Sequence, residues 1–166
     1  MTAADVTDIA AAAAAGELDG LAVLRAWQEG QMPPPPIADT IGFTVESAAA
    51  GEVAFSFIPA RRHYNLMGGV HGGVYATLLD TATACAVHTK LPAGTTFATL
   101  DLNVKFLRAL NADSGRVTCT GRVVHLGRRT ALAHAEMVDT KGRLCAHATS
   151  TCLIQRPDTG NPDARR

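Results

Sequence analysis

Apolar and polar residues change period twice along the chain. Residues 5–31 are rich in alanine and leucine, with Gly16 and Gly20 near the middle. That pattern predicts two short helices, or one with a break. Ile9, Leu18, Leu21, Leu24 and Trp27 would form the apolar stripe. Pro33 to Pro36 read as a stiff, extended connector. From Ile37 the period becomes two. Residues 41–49 and 53–58 read as strands joined by Ala50-Gly51, and residues 61–69 as a loop. An apolar run then fills residues 74–87, too long for a core strand and poor in β-branched side chains. It reads as a helix of about five turns, apolar on every side and therefore buried. Four more strands follow, over residues 97–107, 116–126, 130–138 and 143–155. In the first, Leu100, Leu102, Val104 and Phe106 alternate with Asp101, Asn103 and Lys105. Residues 156–166 read as a disordered, frayed tail.

Two strands, one buried helix and an antiparallel meander make an α+β domain over residues 37–155. The helix is expected to fill the concave side of a single curling sheet. Residues 1–36 form a helical extension with its proline-rich connector.

Composition narrows the function classes. With 15 Lys and Arg against 15 Asp and Glu, net charge is zero. No electrostatic footprint for nucleic acid or an anionic membrane is present. No apolar run reaches membrane-span length, and Asp5 and Asp8 near the start are the wrong charge for a secretory signal. A cytoplasmic protein is expected. Cys85, Cys119, Cys145 and Cys152 show no metal-type spacing and read as reduced core residues. His63, His88, His125, His134 and His147 read as solvent-facing or hydrogen-bonded, and no metal site is expected.

The chemistry concentrates at the start of the long helix. Gly68-Gly69 and Gly72-Gly73 flank Val70 and His71, and Asp80 is the one formally charged residue between His71 and His88. Glycines at a helix start leave N–H groups free and let a ligand approach the backbone. A developing oxyanion there meets a partial positive charge. A carboxylate halfway along a buried helix is costly unless it is paired or used. Pairing with Thr77 or Thr83 is the bland alternative. Gly72 and Asp80 are eight residues apart, roughly 12 Å along a helix axis. One small reacting group cannot touch both, so a shared site at a dimer interface is expected if both act.

The run Asn65-x5-His71-Gly72-Gly73-x6-Asp80, followed by the strand TLDLNVKF, resembles the hotdog-fold acyl-CoA thioesterases of the PaaI-like (phenylacetate-type) branch. The resemblance spans roughly residues 37–155. It implies hydrolysis of an acyl-CoA to free acid and CoA by a homodimer or a dimer of dimers, with no cofactor beyond the CoA of the substrate. It implies that the Gly72 N–H polarises the thioester carbonyl and that Asn65 helps hold it. Asp80 matches the catalytic carboxylate, as general base or nucleophile. His71 is similar to the residue that supports Asn65 or sits near the sulfur, and Gly73 to one beside the substrate. Thr99 falls where relatives carry a water-placing Ser or Thr, although strict alternation puts it with the outward polar set. Arg128 and Arg129 read either as a solvated hairpin tip or, by resemblance, as phosphate contacts for CoA, with Arg61, Arg62 and Arg108 as weaker candidates. A hotdog hydratase or dehydratase and a non-catalytic acyl-CoA-binding module are the other readings. The first needs a His–carboxylate pair that the sequence does not offer. The second gives no reason to bury Asp80.

Overall fold

In a computed structural model that describes residues 10–156, six antiparallel strands form one sheet around a single long helix. A helical turn over residues 10–14 (α1) precedes α2 (Gly20–Gln28) and α3 (Pro36–Ile41). Then come β1 (Phe43–Ala49), β2 (Glu52–Phe57), α4 (Gly72–His88), β3 (Thr96–Phe106), β4 (Val117–Leu126), β5 (Thr130–Val138) and β6 (Leu144–Gln155). The spatial order is β1-β2-β4-β5-β6-β3. α4 therefore carries the chain from β2 to the far edge of the sheet.

The core is where α4 meets the concave face. Leu78, Leu79, Ala82, Phe55, Phe57, Val117 and Met137 are all buried there. Helix and sheet approach closely at Gly121 of β4, where an added Cβ would lie 2.0 Å from the Ala82 carbonyl oxygen. Only glycine permits that contact. α2 is held by Trp27, whose ring sits 6.1 Å from Phe43 and 5.6 Å from Phe55, and by buried Leu24. Asp19 caps it by accepting the Ala22 N–H at 2.8 Å.

Several local expectations give way. Pro36 opens α3 instead of extending the connector, because its fixed φ suits the first helical position. The loop before α4 contains a 3₁₀ turn, Arg61–His63, and a Tyr64–Val70 bridge. α4 is not buried all round. Gly73, Ala76, Thr77, Asp80 and Thr81 form a stripe that is half-buried or exposed in the single chain. His63 is buried but hydrogen-bonded, as one of its two expected settings required, with Nδ1 accepting the Ala60 N–H at 2.9 Å. Ile9 of the expected stripe and the tail beyond residue 156 lie outside the described residues. Among the described residues no helix is long and apolar enough to cross a membrane, and no His, Cys, Asp and Glu cluster could hold a metal.

The β3 alternation also fails at one point. Thr99 pairs with Cys152 and Asp101 with Thr151, so Leu100 is an extra residue in a β-bulge. Leu102 and Val104 pack on the core, whereas Leu100 is 58% exposed. The bulge resets the parity, and Thr99 turns toward the helix.

Candidate active site

α4 and β3 run antiparallel and meet at three places. At one end Tyr75 packs edge-on against Phe106, with ring centroids 5.7 Å apart. In the middle the Thr99 hydroxyl donates to Asp80 Oδ1 at 2.9 Å. At the other end His88 and Phe97 stack at 5.2 Å. Sequence spacing put the carboxylate on this helix; its partner depends on the bulge.

Asp80 is half-buried, and its Oδ2 has no hydrogen-bond partner among the described residues. Thr77 and Thr83 do not cap the carboxylate. Their hydroxyls donate to the carbonyls of Gly73 and of Leu79 and Asp80, as threonines inside helices often do. Two thiols lie near the carboxylate. Burial, then the Asp80 charge, pushes the Cys85 thiol up to about 12. Cys152 is also raised, by burial first. Both stay protonated at neutral pH, which disqualifies them as thiolate nucleophiles. Asp80 has no histidine partner, so the pair that a hydratase needs is absent among the described residues.

The helix start is a rigid cradle. His71 is the N-cap, and its Nδ1 accepts the Gly73 N–H at 2.9 Å. The neutral ring then carries its proton on Nε2. The Gly72 N–H, first in the helix, has no acceptor among the described residues. Asn65 organises the preceding turn. Its Oδ1 accepts the N–H groups of Met67 and Gly69 at 2.9 and 3.3 Å, and its own N–H donates to the Gly69 carbonyl. That fixes the amide so that Nδ2 is the end left over. The whole loop hangs on His63, whose carbonyl accepts the His71 N–H at 2.8 Å.

Two openings flank this cradle. One, of about 570 Å³, lies over Tyr64, Asn65, Leu66, Met67 and His71. The other, of about 350 Å³, lies between Gly72, Tyr75, Phe106 and Arg108. The sequence pattern does not mark Tyr75 and Phe106 as site residues, although Phe106 shares the inward face of Leu102 and Val104. The Tyr75 hydroxyl donates to the Arg108 carbonyl and accepts the Leu110 N–H, bracing the groove wall. Arg108 thus stands beside Gly72. Arg62 lies over Gly42 instead, so close that a Cβ there would come 2.7 Å from Nη2.

The structure brings Asn65, His71, Gly72 and Gly73 together at one end of α4, and Asp80 with Thr99 at mid-helix. Within one chain these groups stay apart, eight residues along an unbroken 17-residue helix. Arg128 and Arg129 are exposed in the β4–β5 turn, and neither is in a salt bridge among the described residues. Register puts that turn on the Asp80 side. Thr99 pairs with Cys152, which pairs with Ala131, two residues beyond Arg129.

Comparison with known proteins identifies the family. Residues 67–146 match the family model described as "Thioesterase superfamily". A Halobacterium salinarum protein whose name proposes an esterase is 36% identical over 119 residues, 68% of this chain and 76% of its own length. The 1,4-dihydroxy-2-naphthoyl-CoA hydrolase of Listeria monocytogenes is 22% identical over 120 residues, 72% of this chain and 96% of that one. Among solved structures, the phenylacetic acid degradation-related protein of Ralstonia eutropha JMP134 is similar with a TM-score of 0.71 at 30% identity. That match covers 78% of this chain and 98% of the other.

Proposed function

Because the chain belongs to the thioesterase superfamily, in its PaaI-like hotdog branch, and is a thioester hydrolase, we propose that it cleaves acyl-CoA esters at a site shared by two subunits. The observation that carries this reading is the split along α4. A free helix-start amide lies at one end, and a carboxylate oriented by Thr99 lies roughly 12 Å away. A second copy supplies the missing half. The unpaired edge of β3 supports such a dimer: it is 11 residues long and exposes Leu100 and Phe106. Long apolar edges are normally covered. The open stripe on α4 around Asp80 lies beside that edge.

In this reading the thioester carbonyl accepts from the Gly72 N–H, with Asn65 Nδ2 as second donor. His71 and Gly73 keep that cradle rigid, and the His71 Nε2–H is available to the sulfur. Asp80 of the other subunit takes a proton from water, whose oxygen bonds to the acyl carbon. Alternatively its own oxygen attacks first and water releases the anhydride. Thr99 holds Oδ1 so that Oδ2 meets the reacting atoms. The carbonyl oxygen gains charge as the carbon becomes tetrahedral, and preformed donors stabilise it. The C–S bond then breaks and CoA leaves as thiolate, which takes up a proton. A thiolate departs readily, so one carboxylate suffices for the proton work. Arg128 and Arg129 bind the phosphates of CoA from the Asp80 side.

The test is a panel of aryl and aliphatic acyl-CoAs assayed for free thiol. At least one should be hydrolysed, and Asp80→Asn should lower kcat by roughly 10² to 10⁴. No thiol above background across the panel would defeat this reading.

A further inference from the structure

The outer face of the sheet carries a pocket that the chemistry above does not use. In β1, Phe43 and Val45 belong to the core, so Thr44 between them points away from α4. In β2, Phe55 and Phe57 are core residues, and Ser56 points outward like Thr44. The two are register partners, with their hydroxyl oxygens 3.1 Å apart. Arg116, one residue before buried Val117, donates from Nη1 to Ser56 Oγ at 2.9 Å. Arg62 reaches the same opening from the 3₁₀ turn, and Gly42, at φ +82°, leaves the space that its guanidinium takes. With Ile58 these residues line a cavity of about 380 Å³.

Its electrostatics are one-sided. No Asp or Glu lines the cavity. Arg62 and Arg116 are in no salt bridge among the described residues, whereas Arg122 pairs with Glu52 at 2.9 Å and Arg143 with Asp139 at 2.7 Å. Glu46, two residues beyond Thr44, accepts from the Thr118 hydroxyl at 3.3 Å and lies outside the lining. Two guanidiniums facing one small opening repel each other, and an anion between them reverses the sign of that interaction.

The donors suit phosphate. Among the described residues, the Arg62 guanidinium has no hydrogen-bond acceptor, and Arg116 uses only Nη1. Planar N–H forks match the oxygens of a phosphate, and two of them with a hydroxyl offer more donors than the two oxygens of a carboxylate take. Ser56 is only 7% exposed, so Arg116 is anchored on a fixed wall. The volume lies in the range of small-molecule pockets and leaves room beyond the phosphate. Ile58, 55% exposed, offers an apolar rest for a carbon skeleton there.

We propose that this pocket binds the phosphate group of a small organic phosphate, gripped by Arg62, Arg116 and Thr44, with its carbon skeleton against Ile58. The site is independent of the acyl-CoA reading, and a chain that released no thiol from any thioester would keep it. The probe is phenyl phosphate, titrated calorimetrically into the full chain in phosphate-free buffer of low ionic strength. Saturable binding is expected. Arg62→Met and Arg116→Met, which keep the apolar stems, should each weaken it about tenfold or more. Thr44→Glu puts a carboxylate into the pocket and should abolish binding without lowering the Tm of the free protein. Saturating phenyl phosphate should raise the Tm of the wild-type chain and leave that of Thr44→Glu unchanged. Benzoate should bind about tenfold more weakly than phenyl phosphate. Arg128→Ala with Arg129→Ala should leave binding within about twofold, as for separate sites. Absence of saturable binding overturns the proposal. So does binding that survives both arginine-to-methionine variants, binding that is lost with Arg128 and Arg129, or equal affinity for benzoate. Competition with free CoA identifies the source: displacement of phenyl phosphate marks the phosphate as the coenzyme's, and no displacement marks it as that of a separate ester. The site stands in both cases.

Discussion

The proposed division of the site between subunits makes a quantitative prediction. Asp80→Asn keeps the side-chain shape and its place beside Thr99 but removes the base. Gly72→Val crowds the free amide. The fold tolerates a Cβ there, since it would meet only the Phe106 ring at 3.4 Å, an ordinary contact, while the branched methyls obstruct carbonyl docking. Each homodimer should be inactive to within a factor of about 10² of background. Co-expression with two different tags gives a heterodimer that two affinity steps isolate. One of its sites joins the intact Gly72 of one chain to the intact Asp80 of the other, and the second site holds both lesions. Half of wild-type kcat per dimer is therefore expected, with KM unchanged. The reasoning depends on helix geometry: eight residues separate the groups by roughly 12 Å, several times the reach of one thioester and its water. A heterodimer no more active than its parents, by free-thiol release at saturating substrate, would refute the shared site. It would leave Asp80 free to act within its own chain.

Two other outcomes follow from the same structure. Arg128→Ala with Arg129→Ala should raise KM for acyl-CoA roughly tenfold, as expected for lost charge-assisted bonds, and leave an acyl-pantetheine unaffected; equal losses on both substrates would show that the turn does something else. Burial first, then the Arg62 charge, holds His63 below its ordinary value, against the opposing Ile41 carbonyl. Below about pH 6.5 the unfolded chain takes up a proton that the folded chain refuses, so stability falls as pH drops. His63→Asn keeps an acceptor for the Ala60 N–H and removes the titration. Its Tm should fall less than the wild-type Tm between pH 7.5 and 5.5, and an identical fall would exclude His63. His88, also lowered by burial, keeps some acid sensitivity in both proteins.

Much of this molecule is legible in its sequence, for identifiable reasons. Period-two alternation located six strands, and an uninterrupted apolar run located α4, because each reports which faces are buried. Asn65, His71, Gly72 and Asp80 were readable because they share one short stretch. What escaped depends on contacts between distant segments. The Thr99–Asp80 bond needs the bulge, and nothing in TLDLNVKF marks Leu100 as the extra residue. Tyr75 and Phe106 looked like core, and became groove walls only when β3 was laid against α4. The half-open stripe of α4 reads as buried in the sequence because Ala and Thr look alike on a buried and on a half-open helix face. Pro36 showed the same limit locally: proline excludes the helix interior but suits its first turn.

The bulge at Leu100 has a consequence for how such a site is gained or lost over descent. In a strand, side-chain direction is a matter of parity, and a single insertion inverts it for everything on one side. Deleting Leu100 would remove the bulge and leave Thr99 on the face of Leu102, Val104 and Phe106, whereas a straight strand that keeps Leu100 in the ladder would turn Thr99, still threonine, away from Asp80. In that straightened strand the carboxylate would lose its orienting hydroxyl with both residues unchanged. Sequence identity at the two positions is thus an incomplete record of the pair. Counting positions from Thr99 to the core-facing Leu102, three here where a regular strand needs an even number, tells a reader of related chains more than matching the letters does.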